Sequence, residues 1–304
     1  MTTHYDSPTV FRAEHIFKQY DGHVALADVG LSLGRGGIVG LIGRNGAGKS
    51  TLLHTMAGLT LPTSGECHTF GTRTDLLDTP ELTRVGLVMQ EPRFVEWMTV
   101  ELHLAFTASF YPAWDGDLQT RLIRMLEVPL NQRLGELSTG DRQKVAILLG
   151  MCHRPALLLL DEPMSSLDPI ARRRMLELLL ELMGDDDCTV VISSHLLNDI
   201  EKVANRIIAL DAGRVVLDEG YDELLESYAE WMVTATDGRT LPAFTEPFVL
   251  AQQSGGRMAR LTVRLAGAPA VEAFASAHGV LVQPRPLNLE EIFSLLLKGR
   301  EGVA

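Results

Sequence analysis

The segment GRNGAGKS at residues 43–50 has glycines, a lysine and a serine at a spacing that suits phosphate binding. It fits the pattern G-x-x-x-x-G-K-[ST], in which the glycines let the backbone curl and point several N–H groups at phosphate oxygens. A helix that starts here adds its positive N-terminal end. Lys49 can then reach the terminal phosphates, and Ser50 can ligate Mg²⁺. A chance glycine turn is the alternative, but the predicted strand before the segment and the predicted helix after it favour a phosphate-binding loop.

Two adjacent acids could supply the metal ligand and the base that a phosphate-binding loop lacks. LLLLDEP places Asp161 and Glu162 at the end of a buried apolar strand, and the carboxyl ends of parallel strands form the ligand crevice of such sheets. Asp161 could hold Mg²⁺ through water, and Glu162 could polarise an attacking water. The pattern alone is also typical of a solvated acidic turn. Together with the phosphate loop, it predicts nucleotide hydrolysis.

Two further polar residues follow predicted strands in the same way. Gln90 ends LVMQ, and His195 ends VVISSH. A single Gln or His at such a position is most often a loop residue or a helix cap. Because both strands belong to the predicted sheet, both side chains are expected at the edge that holds the phosphates, where a histidine suits contact with a terminal phosphate.

The sheet that would position these residues is predicted from hydrophobic patterning. Short apolar runs predict buried strands at 36–42, 84–90, 156–163 and 189–195. Continuous apolar strands separated by helical stretches indicate a parallel sheet covered on both faces.

Helical spacing and turn residues predict the elements around this sheet. Residues 50–59 predict a helix. Its apolar face comprises Leu52, Leu53, Met56 and Leu59. Residues from about 93 to 155 are mainly of helical character and predict a helical insert. Residues 206–219 predict a hairpin with Gly213 at the turn.

After about Gly220 the chain changes character and predicts a small α+β domain. RLTVRLA at 260–266 alternates like a half-buried strand. Residues 288–299 predict a helix, with Asn288 and Glu291 as a capping box and an exit at Lys298 and Gly299. Its apolar face comprises Leu289, Ile292, Phe293 and Leu296. We therefore predict one domain at residues 1–222 and a second at 223–304.

Two charge runs stand outside these motifs. The acidic run Gly184 to Asp187 is interpreted as a solvated loop. The arginine run Arg172 to Arg174 is interpreted as a charged helix face.

Composition limits the remaining functional classes. The 304 residues carry a formal net charge of −12, which argues against a generally basic nucleic-acid footprint and leaves a local patch open. The three cysteines, Cys67, Cys152 and Cys188, fit no metal site or disulfide frame and favour a reduced, cytoplasmic setting. The polar N-terminus predicts no signal peptide. No apolar stretch approaches the ~18 residues of a membrane span.

Taken in order, the motifs of residues 10–220 closely resemble those of the ATP-binding subunit of an ABC transporter. The matching motifs are the phosphate loop GRNGAGKS, the Q-loop MQE with Gln90, LSTGD at the signature position, Walker B LLLLDE, the D-loop SSLD (165–168) and the switch histidine His195. Tyr20 stands where the family has an aromatic residue that stacks on adenine. An ordinary strand-end tyrosine is the alternative interpretation of Tyr20.

The resemblance implies a fold and a set of site residues. The fold is α/β, a P-loop NTPase (RecA-like) core with an N-terminal antiparallel β-subdomain and the helical insert. ATP would contact Tyr20, the loop residues Gly43, Arg44, Asn45, Gly46, Ala47, Gly48, Lys49, Ser50 and Thr51, and, from the neighbouring subunit, Ser138, Thr139 and Gly140. Ser50, Gln90 and Asp161 would serve Mg²⁺. Catalytic roles fall to Glu162 as general base, to His195 at the γ-phosphate, to Gln90, and to Asp168 as a link between two sites.

The resemblance also implies partners. Two nucleotide-binding subunits, identical or related, would close around two ATP molecules and move a separately encoded integral-membrane permease. The chain would then be cytoplasmic and attached to the inner face of the membrane through that permease, with no nucleic acid expected as partner. LNLEEIFSLLLKG (287–299) and ASFYPAWD (108–115) resemble segments of the ABC-2 type export group. The alternatives are a soluble ABC ATPase acting on nucleic acid or a macromolecular assembly, and a regulator that binds ATP without turnover.

LSTGD departs from the family consensus LSGGQ at two positions. Leu137, Ser138 and Gly140 are kept, whereas Thr139 replaces a glycine and Asp141 replaces the glutamine. Ser138 and Asp141 also form a Ser-x-x-Asp capping pattern. The helix face behind that pattern comprises Val145, Leu148, Leu149 and Cys152. We predict a functional but altered signature, in which Asp141 adds negative charge near an anion unless it is turned into the capping role.

Overall fold

A computed structural model of the chain describes residues 9–182 and 188–301. The predicted acidic loop at 184–187 lies outside the described residues. The chain divides into two compact units between Asp218 and Glu219, a few residues before the predicted boundary at 222. No helix within the described ranges has the length and apolar character needed to cross a bilayer.

The strands and helices are named in chain order. The strands are β1 (Phe11–Tyr20), β2 (His23–Leu33), β3 (Ile38–Gly43), β4 (Ser64–Thr69), β5 (Thr72–Arg73), β6 (Val85–Val88), β7 (Leu157–Asp161), β8 (Thr189–Ser193), β9 (Arg206–Asp211), β10 (Arg214–Gly220), β11 (Tyr228–Ala235), β12 (Val249–Gly255), β13 (Met258–Arg264) and β14 (Val280–Pro286). The α-helices are α1 (Lys49–Met56), α2 (Thr79–Leu82), α3 (Val100–Ala108), α4 (Gly116–Leu126), α5 (Thr139–Met151), α6 (Pro169–Leu182), α7 (Leu197–Ile200), α8 (Tyr221–Ser227), α9 (Val271–His278) and α10 (Leu289–Glu301).

The central sheet of the first unit has the strand order β10-β9-β3-β8-β7-β6. Strands β9, β3, β8, β7 and β6 pair in parallel. Every residue of β3, β7 and β8 is buried, as expected for strands covered on both faces. The parallel sheet predicted from the apolar runs is confirmed. Its strand β3 leads directly into the segment predicted to bind phosphate.

A second sheet of the first unit has the order β2-β1-β4-β5 and antiparallel pairing. Its strands alternate in burial, and residues such as Phe11, Ile16 and Leu26 face a core shared with β3 and α1. This is the N-terminal antiparallel subdomain expected from the resemblance. The shared core joins Ile16 of β1 and Leu26 of β2 to Ala47 of the phosphate loop.

The predicted helical insert contains α3, α4 and α5. Helix α4 is capped by Asp115, whose carboxylate accepts the Leu118 N–H at 2.7 Å. Its side chains Leu118, Leu122 and Leu126 are buried at helical spacing. The hairpin of β9 and β10 turns at Ala212 and Gly213, both with positive φ, as a tight hairpin turn requires.

The predicted end of the first helix is wrong. Helix α1 stops at Met56, and the Leu59 N–H bonds back to the His54 carbonyl at 2.9 Å. This is a closing turn of the kind that ends many helices. Leu59 therefore leaves the apolar face and is 64% exposed.

The second unit is a four-stranded antiparallel sheet of order β12-β13-β11-β14 with helices packed on it. Trp231 and Leu261 on the sheet and Phe274 on α9 belong to its core. The predicted capping box of α10 is present, because Asn288 accepts the Glu291 N–H at 2.9 Å and Glu291 accepts the Asn288 N–H at 3.0 Å. Helix α10 runs on to Glu301, so the predicted exit at Gly299 is wrong.

The interpretation of Arg172 to Arg174 as a charged helix face needs correction. Only Arg173 fits it, with an exposed ion pair to Glu177 one turn along α6. Arg174 donates to the Met125 carbonyl and to Glu127 of the insert. Arg172 reaches the Met164 carbonyl at 3.3 Å and lies beside Asp199. Tertiary packing thus uses two of the three arginines for contacts between elements.

Candidate functional site

The phosphate loop lies between β3 and α1 and is packed closely against neighbouring backbone. Gly48 has φ +105°, and a side chain there would meet the Ala25 carbonyl oxygen at 2.4 Å. The loop is further held by the hairpin turn, since the Gly213 N–H donates to the Ala47 carbonyl at 3.0 Å. Residue 48 must therefore be glycine, because the left-handed backbone and the close approach both exclude a side chain.

A cavity of about 500 Å³ opens over this loop, and we call it the phosphate-loop cavity. It is lined by Tyr20, His23, Ala25, Asn45, Gly46, Ala47, Gly48, Lys49, Ser50, Thr51, Gln90, Asp161, Glu162 and His195. Residues from five separate segments predicted from sequence therefore meet at one cavity. Gly43 and Arg44 belong to the loop but do not line the cavity. The other predicted site residues that do not line it are Ser138, Thr139, Gly140 and Asp168.

Glu162 is the most constrained acid of the cavity. It is buried, and its φ of +48° lies in the left-handed region that side chains rarely adopt. Its carboxylate oxygen Oε2 lies 2.7 Å from His195 Nδ1 and accepts the His195 backbone N–H at 3.3 Å. The strained backbone turns this carboxylate into the cavity, next to the histidine.

Ser193 connects the two acids and was not predicted. Its hydroxyl donates to Asp161 Oδ1 at 2.7 Å and accepts the Glu162 N–H at 2.9 Å. The serine stands at the end of β8, two residues before His195. A serine in the run VVISSH was the available signal, but only the parallel pairing of β7 with β8 brings it opposite Asp161.

Lys49 is buried at the base of the cavity. Its ammonium donates to the Gly43 carbonyl at 2.9 Å and lies 3.8 Å from Glu162 Oε1. A buried ammonium is costly without compensating partners. The carbonyl and the carboxylate hold this charge where phosphate groups would enter.

Three oxygen-bearing side chains of the lining suit Mg²⁺. The hydroxyl of Ser50, the amide of Gln90 and the carboxylate of Asp161 all border the cavity. Among the described residues, no cluster of three or more His, Cys, Asp or Glu could hold a metal by itself. Mg²⁺ is usually bound by one or two carboxylates together with waters and substrate phosphates, and Asp161 can be such a carboxylate here.

Tyr20 stands at the outer rim of the cavity, at the end of β1. It is 43% exposed, and the Lys18 ammonium lies 4.8 Å from its ring centre. Its partner across the hairpin is His23, which also borders the cavity and was not predicted. An exposed ring at the rim can stack on a planar base.

The signature LSTGD begins helix α5, as its capping pattern predicted. Ser138 Oγ accepts the Asp141 N–H at 3.1 Å and donates to Asp141 Oδ2 at 2.7 Å, and Lys144 donates to Asp141 Oδ1 at 3.0 Å. Burial raises the pKa of Asp141, but the hydrogen bonds from Ser138 and Lys144 outweigh it and hold that pKa below its ordinary value. Asp141 is therefore charged at neutral pH and turned into the helix cap. Of the predicted face, Val145, Leu148 and Cys152 are buried.

The signature and the D-loop contact each other. A Cβ on Gly140 would lie 2.8 Å from the Ser166 carbonyl oxygen. Asp168 caps α6, since its carboxylate accepts the N–H groups of Ile170 at 2.9 Å and Ala171 at 3.0 Å. The hydrogen bond from Ala171 is the main cause that lowers the pKa of Asp168. The signature and the D-loop thus form one surface, and this surface lies outside the phosphate-loop cavity of the same chain.

A parallel sheet with a phosphate loop after β3 and an acid pair at the end of β7, which is separated from β3 by β8, defines a P-loop NTPase. Residues 26–165 match the family model described as ABC transporter. The ABC transporter ATP-binding protein YtrB of Bacillus subtilis (strain 168) is 32% identical over 211 residues, which cover 69% of this chain and 72% of that protein. The chain belongs to the family of ABC transporter ATP-binding proteins and is an ATPase of that family.

Further comparisons include proteins for import and for export. The aliphatic sulfonates import ATP-binding protein SsuB of Burkholderia pseudomallei (strain K96243) is 34% identical over 68% of this chain and 62% of its own length. The Nod factor export ATP-binding protein I of Cupriavidus pinatubonensis is 29% identical over 96% of this chain and 91% of its own length. The dimeric ATP-binding cassette MJ0796 in a post-hydrolysis state with ADP and Pi is 28% identical with a TM-score of 0.62, covering 69% of this chain and 98% of that one.

Proposed function

We propose that the chain is one of two ATPase subunits that close around two ATP molecules and drive a separately encoded membrane permease in export. The observation that carries export is the match to the Nod factor export protein, because it spans 300 residues and 96% of the chain. That match includes the C-terminal unit, whereas the match to SsuB covers 68% of the chain. The tail LNLEEIFSLLLKG supports the ABC-2 type export group.

In this proposal the cavity residues divide the work of hydrolysis. Glu162 polarises the attacking water as general base, in line with its fixed carboxylate and its bond to His195. Nδ1 of His195 faces Glu162. The other ring nitrogen of His195, Nε2, is therefore able to contact the γ-phosphate. Lys49 and the loop N–H groups bind the phosphates, and Tyr20 stacks on adenine.

The lining of the phosphate-loop cavity also leaves a place for Mg²⁺. Ser50, Gln90 and Asp161 would hold the ion, which when bound would neutralise charge on the β- and γ-phosphates. Ser193 orients Asp161 for that role, since its hydroxyl bond uses one carboxylate oxygen and leaves the other available.

The second ATP contact comes from the neighbouring subunit. Ser138, Thr139 and Gly140 stand at the N-terminus of the 13-residue helix α5, where backbone N–H groups and the helix dipole favour an anion. They lie outside the cavity of their own chain, as a contact made to the partner's ATP requires. Asp168, next to this surface, would link the two sites.

An exposed apolar strip suits the permease. Trp97, Leu102, Phe106 and Phe110 are 67%, 48%, 46% and 63% exposed, and the last three repeat every four residues along and just beyond α3. Gln90 precedes this strip in the chain. The carbonyl of Met89, the residue before Gln90, accepts a hydrogen bond from the Gln143 amide of α5 at 3.4 Å. We assign the strip to an apolar cytoplasmic segment of the permease, which would attach the chain to the inner face of the membrane.

The docking test uses tagged full-length protein expressed in cells that contain its membrane partner. Phe106→Ser should lower the membrane-bound fraction severalfold while ATP binding stays intact. Leu281→Ser, on a leucine of β14 that is 63% exposed, is the control and should stay membrane-bound. Co-purification of a multi-span membrane protein supports the proposal. Recovery with ribosomes or DNA instead would favour a soluble ABC ATPase.

Direction is tested in inside-out membrane vesicles that carry the complex. Export predicts ATP-dependent uptake of a solute from cell extract into these vesicles. Uptake should be lost with Glu162→Gln. ATP-dependent release of preloaded solute would indicate import.

A further inference from the structure

Arg172 on α6 contacts two segments that follow catalytic residues. Its guanidinium donates to the Met164 carbonyl at 3.3 Å, two residues after Glu162. Its Nε lies 3.8 Å from Asp199 Oδ2, on the short helix α7 that follows His195. One side chain thus contacts both the segment after Glu162 and the segment after His195, and it does not line the phosphate-loop cavity.

The facing atoms of Arg172 and Asp199 are buried and lack a hydrogen bond. Neither Arg172 Nε nor Asp199 Oδ2 has a hydrogen-bond partner among the described residues. The other carboxylate oxygen of Asp199 accepts from Lys202 at 3.5 Å. A buried N–H donor and a buried carboxylate oxygen each cost free energy while they have no hydrogen bond, and a bond between the two would remove this cost. An N–H···O bond needs a separation of about 2.9 Å, so a shift of α7 by about 1 Å toward α6 would satisfy both.

The segment with His195 has few other polar anchors. Helix α7 spans only Leu197–Ile200, and its N-cap Leu196 makes no side-chain cap bond. The His195 side chain is itself half exposed. Asp199 and Ile200 are the buried residues of α7, so the position of His195 depends on what Asp199 contacts as well as on the two bonds of His195 to Glu162.

We infer that Arg172 and Asp199 are positioning residues, which hold the segment after His195 against the segment after Glu162 and so set the Glu162–His195 geometry during hydrolysis. Neither residue lines the phosphate-loop cavity, so we expect neither to touch the ATP bound there. The inference rests on the proposed roles of Glu162 and His195. A misplacement of about 1 Å in such a pair can cost up to about 100-fold in rate.

The test measures ATP hydrolysis and binding of a fluorescent ATP analogue by the full chain, with thermal unfolding followed by circular dichroism. Asp199→Asn keeps the shape of the side chain and removes its charge. We expect kcat to fall about 10- to 100-fold, with KM and ATP affinity within about twofold of wild type. Arg172→Gln should do the same, and the double variant should be no slower than the slower single variant, because both remove one interaction.

Arg173→Gln is the matched control. It lies on the same helix, and its ion pair with Glu177 is fully on the surface, so its kcat should equal that of wild type. If Arg172→Gln fails to fold, Asp199→Asn and Arg172→Lys carry the test, and the lysine variant should keep part of the rate. Wild-type kcat in Asp199→Asn, additive losses in the double variant, or a loss that follows ATP affinity or melting temperature would each overturn the inference.

Glu162→Gln separates this inference from the proposed function. If Glu162→Gln still hydrolyses ATP at the wild-type rate, the proposed role of Glu162 is wrong. If Glu162→Gln is inactive while Asp199→Asn is fully active, only the positioning role is wrong.

Discussion

At the scale of single residues, the site depends on Glu162. Its left-handed backbone and its bonds to His195 fix the carboxylate at the wall of the cavity. Backbone strain of this kind costs of order 1–3 kcal/mol and persists where the surrounding structure holds it. Here the Ser193 hydroxyl, which accepts the Glu162 N–H, is one contact that holds it.

Glu162→Gln should retain ATP binding and lose hydrolysis. The amide keeps the size of the side chain but cannot accept a proton, so kcat should fall about 10²- to 10⁴-fold. The variant should accumulate as an ATP-bound dimer, visible by size-exclusion chromatography with ATP present. Hydrolysis at the wild-type rate would remove Glu162 from the role of general base.

Asp141→Gln tests the altered signature. The substitution removes a charge that lies near the partner's γ-phosphate in the proposed dimer, which should strengthen ATP-driven dimerisation a few-fold, worth roughly 1 kcal/mol. Because the pKa of Asp141 is lowered, its charge stabilises the folded chain above its unfolded pKa, and this stabilisation is lost as pH falls through the lowered value. The variant should therefore also lose some stability at neutral pH.

Sedimentation with ATP and thermal unfolding measure the two effects of Asp141→Gln. Asp117→Asn, which removes an acid from the first turn of α4, should leave dimerisation unchanged. If Asp141→Gln changes neither dimerisation nor turnover, Asp141 acts only as a helix cap.

At the scale of elements, the first turn of α5 packs closely against the D-loop. Gly140 approaches the Ser166 carbonyl so closely that a Cβ would lie 2.8 Å from its oxygen. The contact joins the residues proposed to bind the partner's ATP to the loop that carries Asp168. A movement of either segment must therefore be shared by the other.

Gly140→Ala should destabilise the chain although alanine favours helices. The helix gain is at most about 1 kcal/mol, whereas forcing a methyl group into this contact costs about 1–3 kcal/mol. Gly116→Ala, at the first turn of α4 where nothing lies within 4 Å of the new Cβ, should instead be neutral or stabilising. Denaturant unfolding compares the two, and equal effects would contradict the packing described here.

At the scale of the whole molecule, the chain has two compact units with separate cores. All residues that line the phosphate-loop cavity belong to the first unit. The second unit has its own sheet, with the fully buried Trp231 at its centre. ATP binding should therefore be independent of the core of the second unit.

Trp231→Ala should lower the free energy of unfolding of the second unit by about 3–5 kcal/mol, with ATP affinity unchanged. Trp97→Ala, on a tryptophan that is 67% exposed, is the control and should leave unfolding unchanged. Denaturant titration and binding of a fluorescent ATP analogue measure both quantities. A parallel loss of ATP affinity in Trp231→Ala would show that the cavity depends on the second unit.

The sequence by itself determined the features that local patterns encode. Continuous apolar runs predicted the parallel sheet, and the caps Ser138 and Asn288 predicted where α5 and α10 begin, because both depend on residues close together in the chain. The phosphate loop and the acid pair were predicted because their chemistry requires certain residue types at a set spacing. The family resemblance then supplied the roles of Gln90 and His195.

Only the tertiary structure decided which distant residues meet. Ser193 between the two acids, Arg172 beside Asp199 and Gly140 against Ser166 are contacts between segments far apart in sequence, and no local pattern distinguishes a serine, an arginine or a glycine used in this way. The same holds for Leu59, whose helical spacing predicted burial until the closing turn after α1 carried it to the surface. Such contacts depend on how strands and helices pack, and this packing is set by the whole core.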